Sequence, residues 1–344
     1  MRLCKCAALF FSAASILAAT KFRTEEIQKD WGVVYAVSLA DVNSDGKLDI
    51  VAINNTQVAW FENPTWKRHM ILDGVTKKDN VCFDVDDVDG DGKPDMALGA
   101  DWQPTNTAAG GSLQWLRQQG GGAPWSLTAL AEEPTLHRLR WGDIDGDGRK
   151  ELIVVPLHGR GNKGPQWEGQ GLRVLVFRVP KNPSSEPWPM EVADDSLHIG
   201  HNFIVENGEI WVASREGVHA LKRGADGKWS KRKIGEGQPG EIKSGRVNRI
   251  RHLATVEPWH GSSIVVYREP TEPLNPQGTP RPKIDLSGKL WQREVIEEKL
   301  NQAHALGWAD FDGDGSDELA VGWRGKPWGV AVYKRAPSGK WDKL

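Results

Sequence analysis

The chain has 344 residues, 44 of them basic and 46 acidic, so a formal charge of −2 leaves no global field that would draw it to nucleic acid or to an anionic membrane. Its length exceeds the usual ~100 to 200 residues of one domain, yet all-β barrels and propellers run longer as single units. With 38 Gly and 17 Trp, and with short apolar runs broken by Gly, Pro, Asn and Asp, the composition favours strands, and no helical period of useful length is present.

Taken in order, residues 1–19 read as a secretory signal. Arg2 and Lys5 form a basic start, and Ala7 to Ala19 form an apolar segment that ends in small residues. The segment is short of the ~20 apolar residues of a membrane anchor. The expectation is a secreted or periplasmic protein with no stable membrane span after signal removal, residues 20–344 forming a single domain. Cys4 and Cys6 fall inside the signal, which leaves Cys82 as the one cysteine of the mature chain and no intramolecular disulfide.

Four acidic loops follow: DVNSDGKLDIVAIN from Asp41, DVDGDGKPDMALGA from Asp87, DIDGDGRKELIVVP from Asp143 and DFDGDGSDELAVGW from Asp310. They offer Asp41, Asn43, Asp45 and Asp49; Asp87, Asp89, Asp91 and Asp95; Asp143, Asp145, Asp147 and Glu151; and Asp310, Asp312, Asp314 and Glu318. Alternate carboxylates with a backbone carbonyl at the seventh position make an all-oxygen cage of the kind calcium takes, and export would expose it to a calcium-rich compartment. An EF-hand is excluded, because its twelfth position needs a bidentate Glu and these loops place Ala52, Leu98, Val154 and Val321 there.

The last interval between loops is close to three of the second, so two copies without an acidic loop are expected between them. They are FIVENGEIWVASREGVHALKR from Phe203 and RHLATVEPWHGSSIVVYRE from Arg251. A second marker, a Trp followed by an aliphatic four or five residues on, closes each unit, at Trp66, Trp125, Trp188, Trp229 and Trp291. Four short strands in each unit of roughly 45 to 60 residues describe an all-β fold, a β-propeller of four-stranded antiparallel blades. Six repeats are visible, and six or seven blades are compatible with them. The last unit stops at the start of its own Trp-bearing strand, which favours a seven-bladed architecture with one blade missing or incomplete. Phe22 to Ile27, in KFRTEEI, is the candidate strand that closes the ring.

The acidic loops inside such a repeat resemble the FG-GAP or VCBS family, in which loops of this kind bind calcium at the turn between the first two strands of a blade.

Antiparallel strands reverse at every turn, so residues just before the first strand and just after the second of each blade emerge on the face opposite the loops. Before the first strand stand Asn80, His137, Arg138, His198, His201 and His304; after the second stand Asp101, Trp102, His158, Arg160, Arg215, Glu216, Trp259, His260, Trp323 and Arg324. Six of the nine histidines fall in this set. Trp stacks on pyranose rings, Arg pairs with carboxylate or carbonyl oxygens, and His moves protons near neutral pH, so the set suits a carbohydrate. Three converging imidazoles could equally hold a second divalent metal.

LHRLRWGDIDGDGRKELIVVPLHGRG, SLHIGHNF from Ser196, PGEIKSGR from Pro239, ATVEPWHG from Ala254 and NQAHALGWADFDGDGSDELAVGWRG from Asn301 resemble the propeller of aldos-2-ulose dehydratase-type enzymes over residues 137–325. No counterpart of the cupin domain that follows that propeller is expected among these residues, so the isomerase half of that chemistry is not expected of them. The resemblance implies water elimination from a keto-sugar such as 1,5-anhydrofructose. In that scheme His137, His158 or His201 removes the proton beside the carbonyl, and Arg140, Arg160 or a bound cation stabilises the enolate. Trp102, His198, Trp259, His260, His304, Trp323 and Arg324 would bind the substrate, a keto-sugar or a uronate. The other class of reading is a non-catalytic, integrin-like propeller whose face binds glycan or protein; such a module needs none of these histidines. TEPLNPQGTPRPK from Thr271 reads as an exposed Pro-rich loop, and no P-loop, dinucleotide motif, CxxC pair or Ser-His-Asp signature is present.

Overall fold

The computed structural model describes residues 22–271, 286 and 288–344. The signal segment and nearly all of the Pro-rich insertion lie outside them. Every regular element is a strand, and no helix among the described residues is long and apolar enough to cross a membrane.

Twenty-four strands form six four-stranded antiparallel sheets, each a meander in chain order. Blade one holds β1 (Ala36–Ala40), β2 (Asp49–Ile53), β3 (Gln57–Glu62) and β4 (Lys67–Asp73); blade two holds β5 (Cys82–Asp86), β6 (Asp95–Ala100), β7 (Ser112–Arg117) and β8 (Ser126–Glu132). Blade three holds β9 (Leu136–Gly142), β10 (Glu151–Pro156), β11 (Leu172–Phe177) and β12 (Met190–Leu197); blade four holds β13 (Asn202–Glu206), β14 (Glu209–Ser214), β15 (Gly217–Arg223) and β16 (Trp229–Gly235). Blade five holds β17 (Ile242–Val247), β18 (Ile250–Glu257), β19 (Ser263–Arg268) and β20 (Gln292–Glu297); blade six holds β21 (Ala303–Ala309), β22 (Glu318–Trp323), β23 (Gly329–Arg335) and β24 (Trp341–Lys343). The expected Trp-bearing strands are the fourth strands, and the sixth blade is completed by a short one.

Second strands such as β6 and β10 are buried along their whole length, because both faces of a blade pack against neighbours. Fourth strands such as β8 alternate toward solvent. The residues that broke the EF-hand pattern sit inside second strands: Leu98, Val154 and Val321 are fully buried. In each acidic loop the sixth residue, Gly46, Gly92, Gly148 or Gly315, has φ between +82° and +87°, a conformation that a side chain resists and the tight turn requires.

Five apolar clusters join blades one to two, two to three, three to four, four to five and five to six. Among the described residues none joins blade six to blade one. The free face of blade one instead packs on the segment before it: Trp31 joins Ala52, Ala59 and Phe61, with Ile27 and Trp66 at the margin. Phe22 reaches blade six, its ring edge-on to Phe311 at 5.7 Å. This segment crosses the seam unpaired, so the expected closing strand over Phe22 to Ile27 is not formed. Along the seam large apolar side chains stay open to water, Val37 (66%) and Leu39 (61%) on β1, Trp328 (76%) and Val330 (75%) on blade six. Six complete blades are thus present, and the expectation of a seven-bladed architecture with one blade missing or incomplete is corrected: the short β24 completes the sixth sheet.

Candidate functional site

The two ends of the propeller carry different chemistry. At one end the four acidic loops curl as expected. The first Asp of each is the hub, accepting the N–H of Gly46, Gly92, Gly148 and Gly315 through Asp41, Asp87, Asp143 and Asp310. The ninth-position carboxylates Asp49, Asp95, Glu151 and Glu318 are buried, and each accepts a backbone N–H that pins its turn, from Val42, Gln118, Ile144 and Phe311. Asp87, Asp89 and Asp91, Asp143, Asp145 and Glu151, and Asp310, Asp312 and Glu318 bring oxygens close enough together to share an ion.

Three of these loops also receive a basic side chain from the third strand. Arg117 meets Asp89 at 2.5 Å and Asp91 at 3.2 Å; Arg178 meets Asp145 at 2.9 Å and Glu151 at 3.0 Å; Lys334 meets Asp312, Asp314 at 2.7 Å and Glu318 at 3.0 Å. In blade one the residue opposite Asp49 at this register is Glu62, and the loop's own cation is only the exposed Lys47 beside Asp45. The first loop is therefore the least compensated of the four.

At the other end, the chain entering the first strand of blades three to six delivers His137, His201, Glu241 and His304 toward the axis, and the turn after β18 adds His260. Nitrogens of His201, His260 and His304 lie within 4.8 Å of one another. His201 Nε2 and His260 Nε2 face each other at 2.5 Å, so that one of them donates a hydrogen bond to the other. The rings of His260 and His304 stack at 4.4 Å.

Glu241 lies behind this trio. Its Oε1 is 3.3 Å from His201 Nδ1 and 3.7 Å from His304 Nδ1, and it takes the Arg138 guanidinium at 3.2 Å; Oε2 accepts the Asn202 amide. The His201 contact is close but off-line for a hydrogen bond in this structure, since Nδ1 has no partner of good geometry. Burial opposes ionisation of Glu241, yet the imidazole of His201 and the charge of Arg138 outweigh it and hold the carboxyl far below its ordinary range. Burial keeps the imidazoles neutral, with His304 pushed down to about 4 and His260 to about 3, the latter also by its histidine neighbours and Arg324. Neutral imidazoles are the form that binds a metal or accepts a proton.

The remaining sequence candidates divide plainly. His137 is fully engaged: Nδ1 donates to the His201 carbonyl at 2.9 Å and Nε2 accepts from Arg138 at 3.0 Å. It positions His201 and has no lone pair free to take a substrate proton. His158 is buried and stacked on Trp167 at 3.8 Å, with Trp259 beyond it at 5.9 Å, so it packs the wall behind the cluster. Arg160 is bound to Glu133 at 2.5 Å, and Glu133 also receives Arg173; this ties loops together away from the trio. His198 is spent on Glu216 and the Gly169 carbonyl.

Trp102 lies against His137 at 4.8 Å and Trp259 lies 6.3 Å from His201. Arg324 reaches His260 Nδ1 at 3.2 Å from the exposed rim, and neighbouring Trp323 is held by the Pro327 carbonyl. Arg140 enters the axial channel, its Nε on the Phe203 carbonyl and one Nη on Asn202. Glu241 itself escaped the sequence reading, although PGEIKSGR contains it. Without an acidic loop to mark it, the fifth repeat reads from Arg251, which lies on the second strand β18, so the position before its first strand β17 went uncounted.

Comparison with known proteins follows the same map. Residues 41–98 match the FG-GAP-like repeat, and residues 110–270 match the β-propeller domain of aldos-2-ulose dehydratase. The second match contains His201, Glu241 and His260. The chain is 26% identical over 250 residues to aldos-2-ulose dehydratase of Phanerodontia chrysosporium, across 63% of this chain and 26% of that protein. The match thus spans about a quarter of the relative's length. Among solved structures, an Agrocybe aegerita lectin that recognises non-reducing terminal N-acetylglucosamine aligns with TM-score 0.52 at 14% identity, over 89% of this chain and 78% of that one. A putative 6-phosphogluconolactonase of Bacteroides fragilis aligns with TM-score 0.52 at 12% identity, over 89% and 80%. At such identities these two speak for the fold alone.

Proposed function

We propose that this chain is an exported carbohydrate lyase that eliminates water or an alcohol from a keto-sugar or uronate at the His201–His260–His304 centre. The observation that carries the reading is the convergence of three imidazoles backed by one buried carboxylate, of which His201, His260 and Glu241 fall inside the region similar to a sugar dehydratase propeller. An integrin-like binding face has no use for such a cluster.

Three nitrogen donors with a carboxylate behind two of them fit a divalent metal of the zinc type by number, atom and orientation. A metal held there would supply a Lewis acid for the substrate carbonyl and the enolate derived from it. The chain's own residues do the rest. Glu241 lies on the Nδ1 side of both His201 and His304 and supplies the negative charge behind them. Arg138, Asn202 and His137 hold Glu241 and His201 in place. Arg324 at the rim offers a guanidinium to substrate oxygens, where charge develops as the proton beside the carbonyl passes to a neutral imidazole of the centre and from it to the departing β-oxygen, which leaves as water or an alcohol. Trp259 and Trp323 provide aromatic walls for a ring.

At the opposite end calcium is proposed to bind the acidic loops as a structural ion, most strongly in the first. The test of function is direct. The purified chain is incubated with 1,5-anhydrofructose, other keto-sugars and uronate oligosaccharides while the ultraviolet absorbance of a conjugated elimination product is followed. Absorbance growth that needs the protein supports the lyase; saturable glycan binding with no product from any of these substrates supports the binding propeller instead.

A further inference from the structure

Beneath the histidine cluster a cavity of about 380 Å³ runs along the propeller axis, lined by first-strand residues that include Arg138, Arg140, Asn202, Glu241, Lys243 and His304. Glu241 and His304 belong to both the cavity and the cluster, so a ligand in one touches the other. We propose that this cavity is a carboxylate-binding site, and that the substrate of the centre is a sugar acid whose carboxylate is received by Lys243 and Arg140. The substrate assignment rests on the cluster being the elimination centre; the binding site itself does not.

Positive charge in this cavity is not fully compensated. Arg138 is spent on Glu241 and His137. Arg140 donates through Nε to the Phe203 carbonyl and through one Nη to Asn202, which leaves its other Nη without an acceptor. Lys243 lies two residues after Glu241 on β17, and its Nζ makes no hydrogen bond or ion pair among the described residues. The one further carboxylate close by, Asp84, accepts the Trp141 N–H and faces Arg140. Three cations therefore stand against two carboxylates. Burial, with Arg140 next, draws the Lys243 ammonium down to about 8, the mark of a cation that has lost water without gaining a partner. Lys243 is half-buried, and a cation partly withdrawn from water without a counter-ion is costly and is kept where a ligand supplies the charge.

One excess positive charge matches a monoanion. A planar carboxylate can take the free guanidinium N–H and the ammonium together, whereas a phosphate dianion would overshoot the balance of these side chains in the metal-free protein. A volume of 380 Å³ lies at the small end of the ~300 to 1,000 Å³ typical of ligand pockets, which suits a single sugar ring. Pairing there would draw charge from the carboxylate and acidify the C–H beside it.

The test is calorimetric titration of the intact protein with D-glucuronate, with its neutral isostere D-glucuronamide and with D-glucose 6-phosphate. Glucuronate is expected to bind at least about 10-fold more tightly than either comparison ligand, the scale of one charge-assisted contact. Lys243→Met should bring glucuronate down to the level of the amide. Should that variant fail to fold, the acid-to-amide ratio on the unaltered protein decides. Equal binding of acid and amide overturns the proposal, as does tighter binding of the phosphate. Glucuronate binding through Lys243 without turnover of any sugar acid overturns the elimination reading alone. Turnover of a neutral keto-sugar with no preference for the acid overturns this proposal alone.

Discussion

Oε1 of Glu241 stands 3.3 Å from Nδ1 of His201, at the point where the first strands of blades four and five enter the axis. The same oxygen takes Arg138 and approaches His304, so one buried carboxylate organises two imidazoles and a guanidinium. Glu241→Gln should leave Arg138 buried and unpaired, costing about 3 kcal/mol of stability. It should also lower any elimination rate at least ~100-fold through lost orientation of the imidazoles. Thermal melts and rates on the variant check both, and a rate loss without a stability loss would place Glu241 outside the structural role assigned to it.

The histidine trio should hold about one transition-metal ion per chain after incubation with zinc and gel filtration. His260→Ala and His304→Ala should each reduce that occupancy at least ~10-fold, while His158→Ala, behind the Trp259 wall, should leave it unchanged. Elemental analysis of the four proteins reads this out. Equal zinc content in all of them contradicts the assigned ligands.

Calcium at the acidic loops predicts that EDTA lowers the melting temperature and that calcium restores it. The first loop faces Glu62 and the fourth already holds Lys334, so Asp41→Ala should abolish more of the calcium response than Asp310→Ala. A melting curve indifferent to EDTA and calcium removes the calcium assignment.

Much of this architecture was readable from the residues, and the limits are physical. The loops at Asp41, Asp87, Asp143 and Asp310 impose a glycine turn and a buried ninth carboxylate, constraints strong enough to survive in sequence and count blades. The Trp-bearing fourth strands survive for the same reason. The seam did not show itself, because Phe22 to Ile27 looks like a strand in composition and whether it pairs depends on a neighbour far away in the chain. At the site, sequence placed His201, His260 and His304 on one face but could not say which imidazole nitrogens were taken. His137, with both nitrogens bonded, and His158, stacked on Trp167, read identically to the three that converge. The pairing of Arg160 with Glu133 did not show itself either, because Glu133 comes from the preceding blade.

Trp31 covers the free face of blade one, edge-on to Phe61 at 5.7 Å, and its carbonyl accepts the Asn54 amide at 2.9 Å. With no sixth inter-blade core among the described residues, this contact carries the load that a neighbouring blade carries elsewhere. Trp31→Ala should cost about 3 kcal/mol. Chemical denaturation checks it, and a variant as stable as the parent would mean that the segment before β1 does not close the seam.

His252, buried on β18 beside Trp308 and Trp341, titrates at about 4 because burial disfavours its charged form. Its ordinary value is near 6.5, so between these values the unfolded chain binds the extra proton. Stability is present in full above pH 6.5 and falls as the pH drops toward 4. His252→Phe should flatten part of that fall in melting temperature, and an unaltered slope would show that the group does not contribute.

The central claim is that the His201–His260–His304 centre carries out β-elimination on a sugar. The most direct measurement follows the ultraviolet product of a keto-sugar or uronate with the parent protein and with His260→Ala, both confirmed folded by their melting curves. The account predicts a conjugated product from the parent and a rate at least ~100-fold lower in the variant. A folded His260→Ala protein that forms product at the parent's rate would contradict it.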